Sequence, residues 1–305
     1  IIKKNKQMKK TVLTVLLVSL NLIILKAQNE IDALRYSQNF YVGTARSLAM
    51  GGAFGALGAD FSTLSTNPAG IGLFQISEFT FSPAFYIGRT NSQFENSPMR
   101  NDYKYNFNFG NIGFVYNFFK RGNYFEGPGW KSAQFGFGIN RLNNFNNRMI
   151  MEGFNPTSSL MNQYIQYANG FKPNNLNAFD TRMAYDAYLI NPFGDSTKYT
   201  SVVNGGVTQR KTVSSSGSVN EMVMTIGGNY SDKLYMGATL GFPFVRYLEQ
   251  SVYKEIDTQD TINNFNSFTV FDDLTTTGAG INFKFGMMEQ RFAFPHLSPK
   301  PLIVP

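Results

Sequence analysis

Residues 43–74, from Gly43 to Phe74, read GTARSLAMGGAFGALGADFSTLSTNPAGIGLF. This stretch is dominated by Gly, Ala, Ser and Thr and has no sustained period of 2 or 3.6. It holds too few large apolar residues to build a core of its own. Short helical turns fit only around Ala45 to Ala53. The stretch therefore predicts a plug that needs a container, and the residues on either side of it say what the container is.

Downstream the chain alternates aromatic residues with small or polar ones, the period of strands with two different faces. In Ile76 to Gly88 (ISEFTFSPAFYIG), Phe79 and Phe81 alternate before a slip at Pro83. Proline removes a ladder donor, so a bulge or kink is expected there. In Tyr103 to Phe119, Tyr103, Tyr105, Phe107 and Phe109 hold one phase, and Ile112, Phe114, Tyr116 and Phe118 hold the other. The change of phase at Gly110-Asn111 predicts a second irregularity. Alternation returns in Ala133–Arg141, Met222–Ile226, Leu234–Phe244 and Thr277–Gly286, where Gly, Thr and Asn occupy the opposite face. These are six strands, most of them long enough to cross a bilayer at a tilt. A soluble sandwich would not need one face so aromatic. The expected fold is all-β: a transmembrane antiparallel β-barrel wall with residues 28–75 as a plug inside it.

Upstream, Met8, Lys9 and Lys10 precede the apolar run Thr11 to Leu25, and Lys26-Ala27-Gln28 follows. This is the pattern of a signal peptide over 8–27, and the run is shorter than the roughly 20 residues of a spanning helix. Residues 1–7 then read as upstream read-through. Residues 1–27 hold six lysines and no acid, so removing them from the formal +7 leaves +1. The basic balance belongs to the leader and makes no case for nucleic acid. Cysteine is absent, so disulfides cannot stabilise an exported domain here. A mean hydropathy of −0.20 with 15% aromatic residues fits strands that face lipid on one side and water on the other.

Connection lengths agree with this orientation. With the plug on the inner side, residues 89–102, 143–217 and 249–267 become outer loops, while 121–131 and 229–233 become inner turns. The longest outer loop holds two candidate helices. One starts at Asn155-Pro156 with Leu160, Met161, Tyr164, Ile165 and Ala168 as its apolar stripe. The other spans about 175–190, with Leu176, Phe179, Met183 and Ala187 on one side. These stripes read either as packing on the barrel rim or as a greasy groove that captures an apolar ligand. Beyond Gly286 the alternation stops, and Pro295, Pro299, Pro301 and Pro305 crowd a tail over 287–305. Six strands are fewer than a closed barrel needs. The expectation is a truncated or frame-shifted chain, with closure by oligomerisation as the alternative.

The order of leader, Gly/Ala-rich segment, Asn67-Pro68-Ala69-Gly70 and aromatic strands resembles the FadL/TodX family of outer-membrane transporters for long-chain fatty acids and hydrocarbons. The resemblance covers about 33–286 and is strongest in 43–74. It implies the N-terminal part of a fourteen-stranded barrel, closed by a hatch that carries an Asn-Pro-Ala motif. It also implies an outer-membrane location in a Gram-negative bacterium, contact with lipid and lipopolysaccharide, an apolar ligand, and a monomer when full length. Passive passage past a mobile hatch would then use Gly51, Gly52, Gly55 and Gly58 as hinges, with Asn67 and Pro68 as the anchor. Pro83 and Gly110 would mark a sideways exit. The family includes PorV-like secretion components and hemin receptors, and the motif does not separate these roles.

No enzyme chemistry is expected. A single histidine, His296, and no cysteine leave no triad or thiol nucleophile. The glycines of 51–58 lack the strand and the Lys-Ser/Thr ending of a phosphate loop. Asp257, Asp260, Asp272 and Asp273 do not have EF-hand spacing. No metal or cofactor is expected.

Overall fold

A computed structural model of the protein describes residues 30–40, 43–118 and 128–290. The leader, most of the 121–131 turn and the Pro-rich tail lie outside the described residues, so the expectations placed on them are not addressed by it. The chain divides into two compact units at Asn39/Phe40. Within the first, helix α1 (Glu30–Ser37) has acids in its first turn and Arg35 in its last, matching the helix dipole.

The second unit is built on one antiparallel sheet. Its strands are β1 (Glu78–Ser92), β2 (Arg100–Asn117), β3 (Trp130–Asn144), β4 (Asn147–Asn155), β7 (Val207–Tyr230), β8 (Leu234–Ile256), β9 (Ser267–Ala279) and β10 (Asn282–Glu289). A separate two-strand ribbon joins β5 (Asn191–Phe193) to β6 (Lys198–Thr200). The main order is β1-β2-β3-β7-β8-β10. β4 continues the line of β3 along β7, and β9 precedes β10 along β8, so the sheet is six strands wide. No helix among the described residues is long and apolar enough to cross a membrane.

Alternation sets the two faces. Phe79, Phe85, Tyr105, Phe107, Ile226, Phe283 and Phe285 are each more than 60% exposed on one side. Val115, Gln134, Glu221, Val223, Thr225 and Thr239 are buried on the other. The two expected irregularities are one. Ser82 pairs with Asn111 and Pro83 with Phe109, so Gly110 is the extra residue of a β2 bulge opposite Pro83. The first strand does not slip, because Phe85 and Ile87 stay on the exposed face with Phe79 and Phe81. The bulge instead lets β2 change phase and keep all its aromatics on one side.

The strands run further than periodicity predicted. β7 and β8 pair in one register from Thr208–Ile256 to Tyr230–Leu234. The expected loops 143–217 and 249–267 therefore shrink to 156–206 and 257–266. Their ends carry Ser, Thr, Lys and Glu on both faces, a pattern that hides a strand from a search for apolar alternation. The last strand likewise reaches Glu289 rather than stopping at Gly286.

In the remaining loop, helix α4 (Leu160–Ala168) starts later than Asn155-Pro156. Ser159 forms its N-cap in a capping box with Asn162. The second predicted helix, 175–190, is mostly not helical. A 3₁₀ turn at Pro173–Asn175 precedes a short α5 (Thr181–Asp186) capped by Asp180. Asn177 draws the chain into a polar turn, accepting from Phe179 N and donating to Asp180.

Candidate functional site

Residues 43–74 lie on the buried face of the sheet, near the 231–233 turn. Helix α2 (Ala45–Ala49) is capped by Thr44, whose hydroxyl also donates to Asp60. The buried Asp60 accepts from Ser62 N and Ser62 Oγ as well, so one carboxylate ties both halves of the segment together. α3 (Thr63–Thr66) follows, then a 3₁₀ turn over Pro68–Leu73. Asn67 caps that turn: its Oδ1 accepts from Ala69 N at 3.2 Å and its Nδ2 donates to Gly55 O at 2.6 Å. Pro68 sits at the first position of the turn, where a missing N–H costs nothing.

The wall is shaped to this turn. Gly227, Gly237 and Gly286 stand in register on β7, β8 and β10. A Cβ on Gly237 would lie 2.2 Å from Pro68 O, one on Gly286 1.9 Å from Asn67 Oδ1, and one on Gly227 2.5 Å from Ile71 Cγ2. Any side chain there would collide with the motif. A second set receives the preceding turn: a Cβ on Gly113 or Gly138 would meet the Phe61 ring at 2.2 or 2.6 Å, and one on Gly136 would meet Leu64 at 2.9 Å. Phe61, Leu64, Ile71, Phe74, Val115 and Val223 form a small shared core. Thr239 Oγ1 donates to Leu64 O, and Gln134 Nε2 and Asn117 Nδ2 donate to Phe74 O, all within 3.0 Å. Asn140 Nδ2 donates to Ser65 Oγ at 2.8 Å.

The four predicted hinge glycines separate. Gly51 and Gly52 adopt φ of 61° and 78° in the turn after α2, and a Cβ on Gly51 would meet open space. Gly58 also has positive φ, but a Cβ on it would lie 2.5 Å from Leu73 Cδ1 and 3.0 Å from Gly70 Cα, which makes it a packing position. Gly55 has no such conformation, and its carbonyl anchors Asn67. Gly110 brings the bulge against the start of the segment, since a Cβ there would lie 2.6 Å from Gly43 O.

The loop positions expected to form a ligand groove mostly do something else. Met161 and Leu176 are buried with Ala168, Ala184, Ile190 and Tyr199, and Leu160, Tyr164 and Ile165 pack against that cluster. The stripes make a core rather than a groove. Only Phe179 and Met183 of that set face outward, at 86% and 48% exposure. The module is pinned by Glu255, which is fully buried on β8. Its carboxylate accepts from Ser159 Oγ (2.5 Å), Leu160 N (2.8 Å), Gln209 Nε2 (2.9 Å) and Tyr253 OH (2.6 Å). Burial, and then the hydrogen bond to Glu255, push the Tyr253 phenol up, so it remains a donor. A shallow cleft of about 600 Å³ lies between the end of α4 and the β5–β6 ribbon, lined by Asn169, Phe193, Lys198 and Tyr199.

Periodicity missed the glycine row, because its meaning depends on register between strands distant in sequence. Asp60, Glu221 and Glu255 gave no signal, being single acids with partners far along the chain. Among the described residues no group of acidic, histidine or cysteine side chains is arranged to hold a metal. Comparison with known families, curated proteins and solved structures finds no match to this chain.

Proposed function

We propose that this chain forms part of an outer-membrane β-barrel that passes hydrophobic compounds, with residues 43–74 as a hatch in its lumen. One observation carries the reading. A single sheet presents an exposed band of aromatic and aliphatic side chains on one face and a glycine-lined seat for a core-less segment on the other. A soluble protein rarely exposes so large an apolar surface, whereas lipid accepts it. β1 and the β9/β10 line each have one neighbouring strand among the described residues. In a bilayer those edges need partners, so the proposal includes pairing by further strands.

The exit route belongs to the same proposal. The β2–β3 ladder covers only Asn111 to Asn117 and ends at the Gly110 bulge. Beyond it, side chains bridge the gap: Arg100 to Glu152 at 2.7 Å, Arg148 to Asp102 at 3.3 Å, and Thr90 Oγ1 to Asn147 Oδ1 at 2.8 Å. Side-chain contacts separate more readily than a continuous ladder, which supports a sideways opening near Pro83 and Gly110. Entry by partitioning of the apolar tail is worth about 0.8 kcal/mol per CH₂.

A second reading, docking of secreted proteins, is favoured by the exposed rings of Phe179, Tyr188 and Phe193 on the loop module, at 86%, 81% and 69% exposure. The test uses the absence of native cysteine. A Ser65→Cys/Asn140→Cys pair joins hatch and wall across a present hydrogen bond. Oxidised protein should lose uptake of a labelled long-chain ligand and regain it on reduction. Equal uptake in both states rejects the hatch.

A further inference from the structure

The exposed face of the wall changes character along one straight line. On β7, Ile226, Met224 and Met222 give way to Asn220 and Ser218. On β8, Leu240, Phe242 and Phe244 give way to Arg246. On the neighbouring line, Phe285, Phe283 and Ala279 give way to Thr277 and Thr275. The three changes fall in register, because Ser218 pairs with Arg246 and Arg246 with Thr277. At the other end of the same face, Trp130 and Tyr230 pair and stack edge-on, with ring centroids 5.7 Å apart. An aromatic girdle at one end and a polar line at the other are the two margins of a lipid-facing band. Residues 220–230 between them match the roughly 9–11 residues with which a tilted strand crosses a bilayer.

Two arginines stand on the polar line. Arg141 on β3 pairs with Asn220, so the two share this face, and Arg246 lies one strand further and two residues along. Strand spacing puts their Cα atoms about 12 Å apart. Between them, Asn220 Nδ2 donates to Ser218 Oγ at 2.9 Å. Arg246 is exposed and has no ion pair among the described residues, and Arg141 Nε has no hydrogen-bond partner. The acids of β7 and β8, Glu221, Glu249 and Glu255, all stand on the opposite face. Asp102 and Glu152 are bonded to Arg148, Arg100 and Arg210. Asp273 pairs with Gln250, about 13 Å along the strand from Arg246.

Resting on the membrane reading, we propose that Arg141 and Arg246 bind the phosphate groups of a phosphorylated glycolipid in the outer leaflet. Lipid phosphates lie where apolar chains end, which is the level of this line. A guanidinium fork matches phosphate oxygens bidentately, and two of them with no acid beside them make a site for such an anion. The hatch lies near the 231–233 turn, so the arginines mark the outer leaflet. Beyond the line the same face continues through Thr275 and Gln250, both exposed and uncharged. Hydroxyl and amide groups there suit sugar hydroxyls, which favours a glycolipid over a phospholipid.

The test is binding of diphosphoryl lipid A to the full chain in detergent, beside dephosphorylated lipid A and dioleoylphosphatidylglycerol. The diphosphoryl form should bind about tenfold tighter than either, and Arg141→Gln/Arg246→Gln should remove most of that preference. The corresponding double lysine variant should restore only part of it. Equal binding of the dephosphorylated form, or unchanged binding by the double glutamine variant, overturns the phosphate site. Equal binding of phosphatidylglycerol overturns the glycolipid assignment. Should the double variant fail to fold, Arg246→Gln alone, at an exposed position, should weaken lipid A about threefold. Nitroxide labels at Phe242, Phe244 and Leu248 in reconstituted membranes separate this proposal from the reading beneath it. Oxygen contact at 242 and 244 with nickel contact at 248 keeps the membrane margin, so failed binding then rejects the site alone. Nickel contact at all three rejects the membrane reading as well.

Discussion

Residues 43–74 and residues 156–206 are both irregular segments laid against the same sheet, and they are held in opposite ways. The first has only a small core, Phe61, Leu64, Ile71 and Phe74, shared with Val115 and Val223 of the wall, and is seated by what the wall lacks, the side chains of Gly113, Gly136, Gly227, Gly237 and Gly286. The second carries its own apolar cluster around Met161, Ile190 and Val203 and needs the wall mainly as an anchor at Glu255. A segment whose small core is shared with the wall gives that core up when it leaves its seat, but the wall's strands keep the ladders that pair them with one another. A segment with a core of its own moves only as a body. That difference is why the proposed function assigns movement to 43–74 rather than to the loop module.

The sharpest way to break the comparison is Gly237→Val. Its side chain meets backbone atoms of Pro68 and Ala69, which cannot swing aside as a side chain can. A loss of about 4 kcal/mol is expected, seen as protease cleavage inside 43–74 while the loop module stays protected. Met161→Ala should do the reverse. It opens a cavity in the loop core, costs roughly 3 kcal/mol, and exposes 156–206 to hydrogen exchange without releasing residues 43–74. Glu255→Ala, which strands four donors at once, should cost about 2 kcal/mol and loosen the start of α4 first.

Smaller effects sharpen the picture. Hydrogen bonding from Arg210, with Arg100 nearby, holds the Glu152 carboxyl below its ordinary value. A depressed folded-state value means that the contribution is present above the unfolded value near 4.5 and is lost as pH falls through the folded one. Protection from exchange in 100–110 and 147–155, relative to free amides at the same pH, should therefore fall below pH 4.5 and stay level between pH 6 and 8. Phe179→Ser should change stability by no more than about 0.5 kcal/mol, since the residue is 86% exposed. A marked loss of co-purifying protein in that variant would favour the docking role.

Much of this was legible in the sequence, and the reasons differ by region. Alternation in 103–118 located β2 and its phase change, because an aromatic face and a Gly/Asn face are as distinct as residues allow. The lack of a core in 43–74 showed that it needed a support. Periodicity failed where strands carry polar residues on both faces, as in 207–217 and 249–256, and there pairing rather than burial sets the structure. It also failed for the loop stripes, since an apolar helix face looks the same whether it covers a ligand or a neighbour. The glycine seat was legible only as scattered small residues until register placed Gly227, Gly237 and Gly286 side by side.

The central claim is that the exposed apolar face lies in lipid, and β10 tests it most directly. Nitroxide labels at each of residues 281–287 in reconstituted membranes would report collisions with oxygen and with a water-soluble nickel complex. The account predicts a two-residue alternation, with Ile281, Phe283, Phe285 and Met287 rich in oxygen contact and poor in nickel contact, and Asn282 and Lys284 poor in oxygen contact. Strong nickel contact at Phe283 and Phe285 would place that face in water and contradict a membrane wall.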